Sequence, residues 1–135
     1  MSKKNPGLPN GRFLSIPHAV ADTQKFRGLK SRAVRLLVDL LRQYNGYNNG
    51  DFSIAWKLMK ERGWRSKETL YRARNELIEV GFVVMTRKGD KHKPSLYAVT
   101  WQRIDECPDH RTRFHKLDMA PTEQAPGTWH DDNFE

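Results

Sequence analysis

Cysteine is nearly absent from this chain of 135 residues, in which Cys107 is the single one. A lone cysteine excludes a disulfide within the chain and favours a reducing compartment, so we expect a cytoplasmic protein. Long apolar runs are missing too, since none approaches the roughly 18 residues that a membrane span needs. Residues 1–7 are polar and lack the apolar stretch of a signal peptide. We therefore expect neither a membrane protein nor a secreted one.

Sequence motifs of the common enzyme classes are also missing. The chain contains no glycine-rich phosphate-binding loop, no nucleophile elbow and no HExxH zinc motif. Acidic residues before position 105 are few and scattered, which disfavours a two-metal nuclease site. We therefore expect a protein that is not an enzyme and that needs no cofactor.

Positive charge is present in excess, with 24 Lys and Arg against 16 Asp and Glu and a net charge of +8. Residues 1–104 hold 21 basic and 8 acidic side chains, whereas residues 105–135 hold 3 basic and 8 acidic ones. A strongly basic body with an acidic end predicts a polyanionic partner for the body, and nucleic acid is the first class to consider. The plain alternative is a well-solvated surface.

The spacing of apolar residues predicts an α+β fold. In order, the predicted elements are a short helix from 18 to about 26, a helix over 32–44, a two-residue strand at 52–53, helices over 54–62 and 67–80, and strands over 82–87 and 95–101. Ser31, Ser53 and Ser66 are the expected N-caps of the three longer helices, and Gly81 ends the last of them. The turn between the last two helices contains Gly63, which is typical of a helix-turn-helix.

The two strands predict a β-hairpin with a basic loop over residues 88–94. After residue 104 the composition becomes polar, acidic and interrupted by proline. We therefore expect an irregular acidic C-terminal tail, draped over the domain. Three segments follow: a lead-in over residues 1–29, a domain over 30–104 and the tail over 105–135.

The order of helix, short strand, helix, turn, helix and hairpin resembles the winged helix-turn-helix family of DNA-binding domains over about residues 30–102. Residues 65–83, RSKETLYRARNELIEVGFV, are similar to the third helix and wing of bacterial regulators and of small proteins from phages and mobile elements. The resemblance implies a three-helix core with a two-stranded wing. It implies a sequence-specific binder of double-stranded DNA, either a transcription regulator or an accessory or replication factor of a phage or plasmid.

The helix over 67–80 carries the residues that we expect to read bases. On a helical wheel, Leu70, Ala73 and Leu77 form its buried stripe. The outward face of its first half offers donors and acceptors that suit base edges in the major groove, and it consists of Glu68, Tyr71, Arg72 and Asn75.

Two further groups are expected to hold the DNA backbone. One lies at the start of the same helix, where side chains and free backbone N–H groups favour phosphate, and consists of Arg65, Ser66 and Lys67. The other belongs to the wing, which reaches backbone or minor groove, and consists of Arg87, Lys88, Lys91, His92 and Lys93.

Plainer interpretations of the same residues stay open. In these interpretations, the basic residues form only a solvated hydrophilic face, Glu68 and Arg72 form a surface ion pair, and Tyr71 packs against the wing instead of contacting DNA. Cys107, Asp109, His110 and His115 invite a zinc interpretation. The spacing C-x₂-H-x₄-H offers only three soft or borderline ligands, and a structural site needs a fourth, so we expect no metal.

Several partners are consistent with the sequence. A homodimer on a palindromic site is one expected assembly. The acidic tail suggests a segment that covers the basic face and competes with DNA, or one that recruits a protein partner. The rival function is a winged-helix adaptor, such as a phage-encoded inhibitor of a host complex.

Overall fold

A computed structural model describes residues 11–131, so the predictions for residues 1–10 and 132–135 lie outside the described part. Its elements are α1 (His18–Ala21), α2 (Gln24–Arg27), α3 (Ser31–Leu41), β1 (Phe52–Ser53), α4 (Trp56–Glu61), α5 (Lys67–Val80), β2 (Val83–Arg87) and β3 (Leu96–Val99). The described residues form a mixed α+β domain with five helices and one antiparallel sheet in the order β1-β3-β2. None of these helices has both the length and the apolar character of a membrane span.

The prediction for α5 is confirmed at both ends. Ser66 caps the helix, because its Oγ accepts a hydrogen bond of 3.2 Å from the backbone N–H of Thr69. Gly81 ends it in the left-handed conformation, with φ of 102°, and its N–H bonds back to the carbonyl groups of Leu77 and Ile78. A side chain at this φ would be strained, so the glycine fixes where the helix stops.

The bounds of α3 differ from the prediction at both ends. The helix begins at Ser31, and Lys30 occupies the N-cap position, so the expectation that Ser31 caps it is wrong. Instead, the Glu76 carboxylate of α5 accepts a 3.0 Å hydrogen bond from the backbone N–H of Lys30. At the other end, Gln43 and Tyr44 make tighter bonds to the third residue before them, so the α-helix stops at Leu41.

Two further helix predictions are corrected by side chains that bond to the nearby backbone. The helix predicted from residue 18 to about 26 consists of two single turns, because Thr23 interrupts it and caps α2 by accepting from the N–H of Phe26. The expected cap of α4 by Ser53 is also wrong. Ser53 belongs to β1, and its Oγ accepts from the N–H of Ala55, so α4 begins only at Trp56.

All four residues of β3 are buried, because this central strand is covered on both faces. On one face, Tyr97 and Val99 join the main core, which packs α3 and α5 against the sheet. On the other face, Leu96 and Ala98 belong to a second cluster with Ile104 and with two residues of the tail, Cys107 and Leu117. A strand buried on both faces explains the unbroken apolar run in the sequence.

The tail is irregular through residue 131, as predicted, and it is tied to the sheet. The N–H of Asp118 donates to the carbonyl of Thr86 at 2.8 Å, and Lys116 forms an ion pair with Asp51 at 2.8 Å. Near its end, the Asp131 carboxylate accepts from the first backbone N–H groups of α2, beginning with Gln24 at 2.9 Å. These bonds, the one from Gln24 foremost, hold the pKa of Asp131 below its ordinary value.

Asn49 joins the turn before β1 to the end of β3. Its side chain is fully buried, and its Nδ2 donates to the carbonyl groups of Val99, Gln102 and Arg103. Its Oδ1 accepts from the N–H of Val99 at 3.0 Å. In the sequence, Asn49 reads only as part of a turn, whereas the structure uses its amide to satisfy backbone groups that would otherwise be buried without partners.

Candidate nucleic-acid interface

α5 lies with α3 on one flank and the sheet on the other, and its third face is open. Leu70, Ala73 and Leu77 are buried, as the wheel predicted. The residues predicted to read bases are all exposed, together with the predicted phosphate contacts at the helix start, and they are Arg65, Ser66, Lys67, Glu68, Tyr71, Arg72 and Asn75. The helix therefore presents one continuous polar face to solvent.

Arg72 is held only loosely on this face. It forms an ion pair with Glu68, and the two side chains are 78% and 71% exposed. Exposed pairs of this kind contribute little stability, since both partners are well hydrated. Either side chain can therefore exchange its partner for a base edge at small cost.

Arg74 braces two neighbours on the sheet side of α5. Its guanidinium lies 4.9 Å from the ring centre of Tyr71, and its Nε donates to Oδ1 of Asn75 at 3.0 Å. Its Nη1 approaches the hydroxyl of the buried Tyr97 at 3.4 Å. Arg74 is not among the predicted site residues, and the sequence offers no signal for this positioning role beyond the charge itself.

The turn before α5 is anchored on Asp39, a carboxylate that is only 5% exposed within the apolar face of α3. One of its oxygens accepts from Nε of Arg62 at 3.0 Å, and the other from Nε1 of the buried Trp64 at 2.7 Å. These bonds fix the end of α4 and the turn against α3. The signal in the sequence is an acidic residue inside an otherwise apolar stretch.

The loop between β2 and β3 is ordered by Asp90. Its Oδ1 accepts from the backbone N–H groups of His92 and Lys93, at 2.7 and 3.1 Å, and its own N–H donates to the carbonyl of Lys93. The predicted contacts Lys88, Lys91, His92 and Lys93 are all exposed around this turn. The loop is therefore a compact, basic projection.

Arg87 does not belong to this basic projection, which corrects the expectation that it contacts DNA. Its side chain is 9% exposed, and its Nη2 donates to the carbonyl of Pro94 at 2.8 Å. The pairing of β2 with β3 is irregular between Met85 and Arg87. Such an irregularity breaks the alternation of faces, so Arg87 is buried although Met85 is exposed. Arg87 supports the loop from within.

The hairpin loop and the start of α5 lie at the same end of the domain. β2 follows α5 after Gly81 and runs back beside it. This follows because Met85 of β2 pairs with Tyr97 of β3, and the Tyr97 hydroxyl lies near Arg74 in the middle of α5. At about 1.5 Å per helical residue and 3.3 Å per strand residue, Arg74 and Met85 each lie about 10 Å from that turn. About 10 Å further from Gly81, α5 reaches its start at Lys67 and β2 reaches the basic loop, so the two basic elements lie side by side.

The zinc interpretation finds no support in the geometry. The His115 ring accepts from the N–H of Cys107 at Nδ1 and contacts the carbonyl of Met119 through Nε2, both at about 3 Å, which occupies both ring nitrogens. Asp109 accepts from the backbone of Arg111 and Thr112, and these bonds hold its pKa below its ordinary value. Within residues 11–131, no three His, Cys, Asp or Glu side chains are grouped as metal ligands.

Cys107 is expected to react slowly in the folded protein. Its side chain is buried, and burial first, then Asp51 and Asp105, raises the pKa of its thiol from 9.0 to about 11. At pH 8 the thiolate fraction should therefore be far lower than in the unfolded chain, and reaction with a disulfide reagent should slow markedly, since the buried sulfur is also hard to reach. The stability that this thiol contributes is complete below pH 9 and is lost as the pH rises towards 11. Equal reaction rates with and without urea would contradict this burial.

The tail leaves the open face of α5 uncovered in the described residues. Within residues 11–131, Asp105 is the one acidic residue of the tail that forms an ion pair, and its partner is Arg103. No ion pair in this part of the chain joins the tail to α5. Asp118 accepts from the backbone N–H of Lys88, at the base of the hairpin loop.

Comparisons of the chain with protein-family models, with curated proteins and with solved structures found no match.

Proposed function

We propose that this domain is a winged helix-turn-helix that binds double-stranded DNA in a sequence-specific manner. α5 enters the major groove, and the loop between β2 and β3 is the wing, which holds the backbone or the minor groove. The observation that carries the proposal is that an open helix face and an exposed basic loop lie at the same end of the domain, with Lys67 on the first and Lys88, Lys91 and Lys93 on the second. Two separated basic elements at one end suit a duplex, whose phosphates line both sides of a groove.

The open face of α5 has the chemistry that direct readout requires. Arg72 donates two parallel hydrogen bonds to guanine, and Asn75 pairs with the donor and acceptor of adenine. Glu68 accepts from cytosine once Arg72 has left it for a base. The Nε–H of Arg74 donates a hydrogen bond to Oδ1 of Asn75, so the Asn75 side chain is oriented before DNA binds.

The lysines of the wing and of the helix start supply affinity without sequence information. Each lysine that meets a phosphate releases counterions from the DNA, so binding weakens as salt rises. The biological role that fits this chemistry is that of a cytoplasmic transcription regulator, or of an accessory or replication factor of a phage or plasmid, acting as a homodimer if the selected site is palindromic.

Arg72→Ala and Lys88→Ala should affect binding in different ways. Selection from a random pool of duplexes defines the preferred site, and single-base variants of that site are then measured with each protein. Arg72→Ala should relax the preference at one base pair by about 1–3 kcal/mol, because it removes a base contact. Lys88→Ala should weaken all sequences alike and lower the salt slope by about one.

Equal weakening of every sequence by Arg72→Ala would count against base reading by α5. A protein that shows no affinity for any duplex, even at low salt, would remove the DNA proposal and favour the protein-binding alternative.

A further inference from the structure

A second basic surface lies behind the turn between α4 and α5. It is a cleft that contains two of the predicted DNA contacts, Arg65 and Ser66, and a wall from α3 that the sequence prediction did not include. The cleft has a volume of about 440 Å³. Its walls come from α3 and from the turn, and they consist of Arg32, Arg35, Gly63, Trp64, Arg65, Ser66 and Thr69. Three of these seven residues are arginines, and none is acidic.

The three arginines are not neutralised by carboxylates in the described part of the chain. Arg32, Arg35 and Arg65 are all exposed, and no ion pair formed within residues 11–131 includes any of them. Three guanidinium groups without carboxylate partners along one cleft repel one another, and an anion bound there relieves that repulsion. The anion that suits planar guanidinium groups best is a phosphate or a carboxylate, bound through two parallel hydrogen bonds.

Arg35 is held in place before any ligand binds. Its guanidinium lies 4.8 Å from the ring centre of Trp64, and its Nη2 donates to the carbonyl of Arg62 at 2.9 Å. Trp64 is itself fixed by its bond to Asp39. Gly63 makes room for this arrangement, since a Cβ there would lie 2.8 Å from Nη2 of Arg35. An oriented arginine loses little further freedom when it binds an anion, so the cleft is prepared for one.

We propose that this cleft binds a phosphate group between Arg32, Arg35 and Arg65, and that in the complex the phosphate belongs to the DNA backbone beside the groove occupied by α5. The second half of this inference rests on the proposed function. It adds α3 to the two elements already assigned to DNA, and it makes Arg32 and Arg35 phosphate contacts that the helix-turn-helix pattern did not indicate.

The test measures duplex binding by the full-length protein and three variants. Arg32→Ala removes an exposed charge from the cleft, and Arg35→Lys keeps the charge but loses the planar fork. Arg42→Ala is the matched control, since it removes an exposed charge from the opposite, C-terminal end of α3, about 10 Å beyond Arg35 along the helix axis and outside the cleft. Thermal unfolding of each variant checks that the fold is kept, and Arg32→Ala carries the test alone if Arg35→Lys does not fold.

We expect Arg32→Ala to weaken binding about five- to tenfold and to lower the salt slope by about one. Arg35→Lys should weaken binding about threefold although the net charge is unchanged, and Arg42→Ala should have little effect. If wild-type protein binds DNA and Arg32→Ala behaves as Arg42→Ala does, the cleft inference is overturned while the proposed function stands.

A titration with inorganic phosphate separates the two proposals. The Nε–H signals of Arg32 and Arg35 are followed by NMR in the full chain. If these signals shift with phosphate but no duplex binds, the cleft is a phosphate site for another ligand, which supports the first half of the inference and removes the DNA assignment. If neither phosphate nor DNA binds, both are overturned.

Discussion

Replacing Asp39 by alanine is expected to lower the free energy of unfolding by about 3 kcal/mol. The reason is that Asp39 is buried and accepts from both Trp64 and Arg62, so its loss leaves the buried indole N–H of Trp64 without a partner. The turn before α5 also loses its anchor on α3, so DNA binding should weaken as well. Urea unfolding, followed by tryptophan fluorescence, measures the first effect.

Two companion variants sharpen this test. Asp22→Ala removes an exposed carboxylate and should change the free energy of unfolding by no more than about 0.5 kcal/mol. Asp39→Asn keeps an acceptor for one donor while losing the charge, and an intermediate loss is expected. If Asp39→Ala proves as mild as Asp22→Ala, then the buried hydrogen bonds do not hold this turn.

Removing three cations from the wing should have the largest effect on DNA binding. The triple variant Lys88→Gln, Lys91→Gln and Lys93→Gln keeps polar side chains of similar size and leaves the loop turn made by Asp90 in place, but it removes three positive charges. Affinity at about 100 mM salt should fall about 100-fold, and the slope of log affinity against log salt should become less negative by about three. Fluorescence anisotropy with a labelled duplex, repeated at several salt concentrations, measures both quantities.

The control for this variant removes the same charge from the opposite end of the domain. Lys25 and Arg27 belong to α2, whose Phe26 packs against Phe82 just after α5, and Arg103 follows β3, so these cations lie away from the hairpin loop. Their replacement by glutamine should lower the affinity only through the smaller net charge. Two triple variants with indistinguishable affinities and salt slopes would show that the wing makes no local contact.

Local signals in the sequence were enough to predict α5 and the hairpin. Ser66 and Gly81 mark the ends of α5 through interactions within a few residues of each other, and the change of apolar period marks β2 and β3. The exposed residues on α5 follow from the same helical geometry, because the buried stripe determines which face is left for solvent.

Features that depend on distant parts of the chain could not be predicted. Arg87 looks like another cation of the wing, and only the irregular pairing of β2 with β3 makes it face inward. Lys30 takes its partner from Glu76, which lies 46 positions away, so Ser31 loses the capping role that its neighbours suggest. The cleft needs α3 and the turn side by side, so Arg32 and Arg35 carry no local mark of their position.

DNA binding by this domain is tested most directly by titrating a labelled duplex pool with the 135-residue chain at 50 and 200 mM salt. With about six phosphate contacts from α5, the wing and the cleft, the slope of log affinity against log salt should be roughly −5, so affinity should fall about 1000-fold between the two concentrations. Absence of binding at 50 mM salt, or an affinity that does not change with salt, would contradict the claim that this basic end of the domain binds DNA.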